Sequence, residues 1–197
     1  MSFNEKVVIV TGASSGIGAA IAEKFSSEGA QVVMVGRNET KLNAVAARCK
    51  NPLIIKAELA KEEDIVRIVD ETIKEFGKID ILVNNAGTST MGSVLVGDIL
   101  KSYDEVMNVN FKAIVHLTKL AAPHLIATKG NIINISSIGG ERTTSVPVLM
   151  MYSCSKAALN HFSKDVLPTL GYLSYRLSWG TKSLRTNTTT YFNVFHF

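Results

Sequence analysis

Short β-branched runs separated by longer amphipathic stretches constrain this chain more than any other feature. Lys6-Val7-Val8-Ile9-Val10-Thr11 is a nearly continuous apolar run. That pattern suits a strand buried on both faces of a parallel sheet, because an open face would call for alternation with polar residues. Gly16 to Glu28 follows with Ile17, Ile21, Ala22 and Phe25 at helical spacing, and Gly29 ends it. The cycle then repeats. Gln31–Val35 reads as a strand, Glu39–Cys49 as a helix, Leu53–Ile55 as a strand and Lys61–Phe76 as a helix with Ile65, Ile68, Val69 and Ile73 on one side. Ile79–Val83 is the fourth strand. A long helix is expected over Asp98–Ala127, with a kink near Pro123, then a strand over Ile132–Ser136 and a helix from Met151 to Leu167. This alternation predicts an α/β fold: a doubly wound parallel sheet with the first strand central and right-handed crossovers placing helices on both faces.

Between the first strand and first helix lies Thr11-Gly12-Ala13-Ser14-Ser15-Gly16-Ile17-Gly18. Glycines there let the chain turn tightly and bring its backbone close to a pyrophosphate, while the helix N-terminus offers unpaired N–H groups and a positive dipole end. A tight connection without a ligand is the plainer alternative. The strand-turn-helix setting favours the cradle.

A second pair of residues carries chemistry. Tyr152 and Lys156 are four apart in a predicted helix and so share a face. A phenol is a poor base at neutral pH, and a neighbouring ammonium favours its ionised form. Such a pair can exchange a proton with an alcohol or carbonyl oxygen. An isolated Tyr-x-x-x-Lys would ordinarily be a helix-surface pair; its position after a strand ending in Ser136-Ser137 argues otherwise.

These motifs, in this order, resemble those of the classical short-chain dehydrogenase/reductase family. The glycine turn has that family's Thr-Gly-x-x-x-Gly-x-Gly spacing. Asn84-Asn85-Ala86-Gly87 matches the motif after the fourth strand, Asn110 the helix asparagine, Ile135-Ser136-Ser137 the serine motif, and Tyr152-Ser153-Cys154-Ser155-Lys156 the Tyr-x-x-x-Lys motif. The resemblance implies a Rossmann-like sheet and a hydride transfer between a nicotinamide cofactor and a small-molecule carbonyl or secondary alcohol. It implies Tyr152 as general acid/base, Lys156 tuning it and binding the nicotinamide ribose, Ser137 holding the reacting oxygen, and Asn110 linking Lys156 to solvent through water. The family places its catalytic serine second in the pair, which selects Ser137 over Ser136. The Ser137-to-Tyr152 interval is about two residues longer than the family's usual one. The implied cofactor-binding set is Thr11, Gly12, Ser14, Ser15, Gly16, Ile17, Gly18, Arg37, Asn38, Glu58, Leu59, Asn85, Ala86, Gly87, Tyr152 and Lys156.

The end of the second strand bears on cofactor choice. NAD sites commonly place a carboxylate there to bind the adenosine ribose hydroxyls. Gly36 stands in that position and Arg37 follows. Glycine leaves room for a 2′-phosphate and a guanidinium can bind it bidentately. The expectation is NADP(H), with NAD(H) as the alternative; a solvated loop arginine is the plainer reading of Arg37. Glu58 stands where the family often has aspartate.

From Pro168 the character of the chain changes. Residues 168–197 hold no Asp or Glu and are rich in Thr, Tyr and Phe, with neither helical nor strand period. The family continues through a sixth and a seventh strand that cannot be read here. The expectation is a dinucleotide-binding domain over 1–167, an atypical tail over 168–197 arising from truncation or an aberrant C-terminus, a sheet lacking its last strands, and a fifth strand left as an open edge. The alternative function is a catalytically impaired cofactor-binding or interaction protein, able to associate as a homo-oligomer through the helices of the family interface.

Composition narrows the rest. The formal net charge is +4, but basic residues are interspersed with acids up to Asp165, so no patch suited to nucleic acid stands out. Cys49 and Cys154 lack metal spacing and read as reduced thiols, and His116, His124 and His161 read as surface or packing residues. No run approaches the ~18 apolar residues of a membrane span and the N-terminus lacks a signal-peptide pattern, so a cytoplasmic protein without membrane partners is expected.

Overall fold

The computed structural model describes residues 3–142, 147–169 and 175–177. Its elements run β1 (Val7–Thr11), α1 (Gly16–Ser27), β2 (Gln31–Gly36), α2 (Glu39–Ala46), β3 (Leu53–Lys56), α3 (Glu62–Phe76), β4 (Ile81–Asn84), α4 (Ile99–Met107), α5 (Ala113–Thr128), β5 (Asn131–Ile135), α6 (Met150–Thr169) and β6 (Tyr175–Leu177). The strand order is β3-β2-β1-β4-β5-β6. Every pairing is parallel. The order reverses between β1 and β4, and in such sheets that switch point opens a crevice at the strand C-terminal ends.

The period of a strand divides the core in two. Val7 and Ile9 join Val33, Val35 and Ile55 in a cluster covered by Ile65, Ile68 and Val69 of α3 and Leu117, Ala121 and Leu125 of α5. Val8 and Val10 point the other way, with Val32 and Met34, onto Ala19, Ala22 and Phe25 of α1 and Leu42 and Val45 of α2. Val7, Val8, Ile9 and Val10 are all buried, so a polar side chain without a hydrogen-bond partner would be costly on either face, which explains the apolar run. Gly77 ends α3 at φ +71, a left-handed cap that favours glycine.

Two sequence expectations are corrected. The long helix over Asp98–Ala127 is interrupted: one wide turn with i→i+5 hydrogen bonding, Asn108–Lys112, separates α4 from α5. The interruption lies there and not at Pro123, which is accommodated within α5. Secondly, β5 is not an open edge. Ile133, Asn134 and Ile135 pair with Tyr175, Arg176 and Leu177. Three residues are too few to establish a strand period, which is why the pattern did not reveal them. The rest of the expected tail beyond Thr169 lies outside the described residues. No helix among the described residues is long and apolar enough to cross a membrane.

Candidate active site

The glycine turn opens a cavity of about 540 Å³. It is lined by Gly12, Ser14, Ser15 and Ile17 from the turn, Gly36, Arg37, Asn38 and Lys41 after β2, Ala57, Glu58 and Leu59 after β3, and Asn85, Ala86, Gly87 and Thr88 after β4. Of the predicted cofactor residues on these loops, Thr11, Gly16 and Gly18 do not line the cavity. Their positions show what they do instead. Thr11 is buried, donates through Oγ1 to the Val83 carbonyl at 3.2 Å and accepts from Asn85 and Ala86 N–H at 3.0 and 3.1 Å. It therefore joins the ends of β1 and β4 beneath the cavity. A Cβ at Gly18 would lie 2.3 Å from the Gly12 carbonyl oxygen and 2.4 Å from Asn85 Nδ2, so glycine is required there by protein packing. Gly16 has φ +54 and an added Cβ would meet nothing within 4 Å. Its face is open space at the start of α1, where a phosphate could approach the backbone. The cradle thus fits a dinucleotide, with the three glycines serving different ends.

Asn38 has a second task that spacing alone does not reveal. Its side chain accepts from Lys41 N at 2.9 Å and caps α2. Lys41 itself was missed by sequence reasoning. It lies one turn beyond Arg37, so the i, i+4 interval was the available signal for a second cation in this corner. Val35, Ala57, Ala60, Thr88 and Val109 also line the cavity without having been singled out for it, and Gly36, read above as leaving room for a 2′-phosphate, lines it as well.

A second cavity of about 470 Å³ shares Ile17, Asn85, Gly87 and Thr88 with the first. It gathers Ser136, Ser137, Tyr152 and Lys156. The two therefore form adjoining lobes along the strand ends. Lys156 is only 3% exposed. Its Nζ donates to the Ile135 carbonyl at 2.7 Å and lies 5.7 Å from the Tyr152 ring centroid. Burial lowers its pKa to about 8, because an ammonium loses hydration there.

Asn110 reaches the same place from the wide turn between α4 and α5, and it is fully buried. Its Oδ1 accepts from Thr88 N at 2.8 Å, and its Nδ2 donates to the Thr88 carbonyl at 2.9 Å and to Ser155 Oγ at 3.1 Å. Ser155 Oγ in turn donates to the Tyr152 carbonyl at 2.7 Å. Asn110 thus ties the β4 loop to the helix bearing Tyr152. A Cβ on Gly87 would stand 3.4 Å from Asn110 Oδ1 and 3.8 Å from Lys156 Nζ, which keeps this corner narrow. Ser137 Oγ accepts from Gly139 N at 3.1 Å, capping a short 3₁₀ turn, Ile138–Gly140. Its hydroxyl proton remains available to a further acceptor.

Comparison with known proteins accords with this geometry. The family described as short chain dehydrogenase matches residues 6–172. The chain is 37% identical over 171 residues to 11-beta-hydroxysteroid dehydrogenase A of Sesamum indicum, an alignment covering 84% of this chain and 49% of that protein. It is 37% identical over 164 residues to an uncharacterized oxidoreductase of Staphylococcus epidermidis, covering 82% of this chain and 70% of that one. The chain thus spans about half the length of the sesame relative. A crystal structure of a metagenomic short-chain oxidoreductase in complex with NADP superimposes with a TM-score of 0.83 at 34% identity, covering 92% of this chain and 85% of that one.

Proposed function

The chain belongs to the short chain dehydrogenase family of oxidoreductases, and on that premise we propose that it serves hydride transfer between NADP(H) and a small-molecule carbonyl or secondary alcohol. The observation that carries this reading is the adjoining of the two lobes: the cradle meets the Tyr152–Lys156–Ser137 group through Ile17, Asn85, Gly87 and Thr88. The nicotinamide supplies or accepts the hydride, and the protein orients it and handles the proton.

Tyr152 is the proton donor in the reducing direction and the acceptor in the oxidising one. Its hydroxyl proton passes to the substrate oxygen, and Lys156 stabilises the charge left on the phenol. Ser137 donates to the same oxygen and fixes its position. The side-chain N–H groups of Asn110 are committed to Thr88 and Ser155, so its link to a water relay falls to a carbonyl oxygen. Cofactor choice follows from Gly36, Arg37 and Lys41: two cations and no carboxylate at the β2 end suit a 2′-phosphate. The NADP complex of the metagenomic relative supports this reading. Tyr152→Phe tests the acid/base assignment in single-turnover assays with NADPH and a panel of ketones and aldehydes. Loss of hydride transfer with NADPH binding retained is expected; undiminished transfer would remove Tyr152 from the mechanism.

A second reading rests on the lining of the catalytic lobe, which among the described residues comes only from positions between Ile17 and Lys156. Under it the chain binds cofactor and turns over weakly, and association between copies outlasts catalysis. NADPH binding without hydride transfer in the purified chain favours this reading, and robust carbonyl reduction excludes it.

A further inference from the structure

Beneath the catalytic lobe, the contact between β5 and α6 is polar where a sheet-helix contact would ordinarily be apolar. Lys156, Asn160 and Ser163 form one stripe on α6 at i, i+4 and i+7, and Asn134 and Ser136 face them from the end of β5. All five are at least nine-tenths buried. Asn134 Nδ2 donates to Ser163 Oγ at 2.9 Å. Ser136 Oγ donates to Asn160 Oδ1 at 2.5 Å, and Asn160 Nδ2 donates to the Gly140 carbonyl at 3.2 Å. One side-chain amide therefore holds both ends of the turn that runs from Ser136 to Gly140. Ser137 lies inside that turn and caps it through Gly139 N.

The turn is also pressed onto α6 at the level of Lys156. A Cβ on Gly140 would lie 2.7 Å from the Lys156 carbonyl carbon and 2.8 Å from Asn160 Nδ2. Apolar packing tolerates small slips between elements, whereas a satisfied buried network specifies one register. The catalytic assignment above gives Ser137 and Tyr152 no direct bond to each other, yet both must reach one substrate oxygen. Something must set their separation.

We propose that Asn160 is a positioning residue, which through Ser136 and Gly140 fixes the turn bearing Ser137 relative to Tyr152 on α6. This rests on the catalytic reading of Ser137 and Tyr152, which the test checks separately. Ser136, set aside as the first serine of its pair, is the partner that makes the clamp bidentate.

The test uses the full chain labelled with 3-fluorotyrosine, with Tyr152→Phe identifying the Tyr152 fluorine resonance. Ser137→Ala should shift that resonance in the non-reacting complex with NADP+ and cyclohexanone, where one carbonyl oxygen takes both hydroxyls. Asn160→Ala and Ser136→Ala should shift it too, and combining Asn160→Ala with Ser137→Ala should add nothing beyond Ser137→Ala. Ser136→Thr keeps the hydroxyl and should restore the wild-type position. Ser163→Ala, on the same stripe one turn away, should leave it unchanged. Single-turnover hydride transfer should fall about 10- to 100-fold in Asn160→Ala with NADPH affinity within about twofold of wild type. If Asn160→Ala does not fold, the Ser136→Ala and Ser136→Thr pair decides the matter. An unmoved resonance in Ser136→Ala and Asn160→Ala, when Ser137→Ala moves it, overturns the proposal. Equal shifts in Ser163→Ala overturn it as well, by showing a packing effect alone. An unmoved resonance in Ser137→Ala itself counts against the catalytic reading instead.

Discussion

Replacing Lys156 by methionine is expected to stabilise the protein near neutral pH while removing its proposed chemistry. The ammonium is buried, and burial lowers its pKa from 10.5 to about 8. Between those values the unfolded chain binds more protons than the folded one, so stability rises with pH across that window. Below pH 8 the penalty is fully present, at about 3 kcal/mol. Raising the pH from about 7 to about 9.5 relieves about 2 kcal/mol of it. Methionine fills a similar volume without charge. It also leaves the Ile135 carbonyl, 2.7 Å from Nζ, without that donor, a loss of about 1–2 kcal/mol. The variant should therefore be more stable by about 1–2 kcal/mol at neutral pH, and this advantage should vanish by about pH 9.5. Urea unfolding of the cofactor-free protein at the two pH values, followed by far-ultraviolet circular dichroism, gives the comparison. The difference between wild type and variant is the quantity to read, because the other lysines and tyrosines titrate in both. A difference that stays constant with pH would refute the reasoning, since the charge would then carry no burial penalty.

Four further variants have expected outcomes. Gly18→Ala should unfold or severely destabilise the chain, because its Cβ has no room against Gly12 and Asn85; Gly16→Ala should cost only about 1–2 kcal/mol of backbone strain yet weaken NADPH binding strongly, as thermal unfolding and fluorescence titration would show. Asp80 is buried, which opposes ionisation, but hydrogen bonds from Lys6, Val7 N–H and Lys78 hold its pKa below the usual carboxylate value. Its contribution is present above the unfolded pKa and lost as pH falls through the folded one, so Asp80→Asn should remove about 1–2 kcal/mol at neutral pH and flatten the acid side of the stability profile. Gly36→Asp should shift cofactor preference from NADPH towards NADH by repelling the 2′-phosphate; equal wild-type affinity for the two would undercut the basis for this expectation.

The sheet was legible because its strands are buried on both faces, and the glycine turn because few other sequences can make such a connection. What escaped was geometry that local spacing does not encode. One extra residue in the turn at Asn108–Lys112 barely disturbs a helical pattern, so α4 and α5 read as one helix. Gly12, Gly16 and Gly18 look equivalent in a motif, but only the packed structure separates the glycine that faces open space from the one pressed against Asn85. The link between Ser136 and Asn160 spans 24 positions and exists only once α6 lies along β5. Lys41 was hidden because a lysine on a helix face is ordinarily solvated. Tyr152, Lys156 and Ser137, by contrast, line one cavity, since their motifs fix both the elements and the end of the sheet on which they fall.

The junction of β1 with β4 has a consequence for how fast this protein can assemble. Thr11 meets the Asn85 N–H across 74 positions of chain, and Lys6 meets Asp80 across another 74. Everything between, including β2, β3 and three helices, must be looped out before these contacts form, and such non-local closure is slow. The cradle straddles this seam: Gly12 lies on one side and Asn85 and Ala86 on the other. A dinucleotide therefore finds its site only after this closure is complete. Once seated, it favours the closed form by mass action and bridges the two segments. Cofactor concentration should then act on the lifetime of the folded chain as well as on its chemistry.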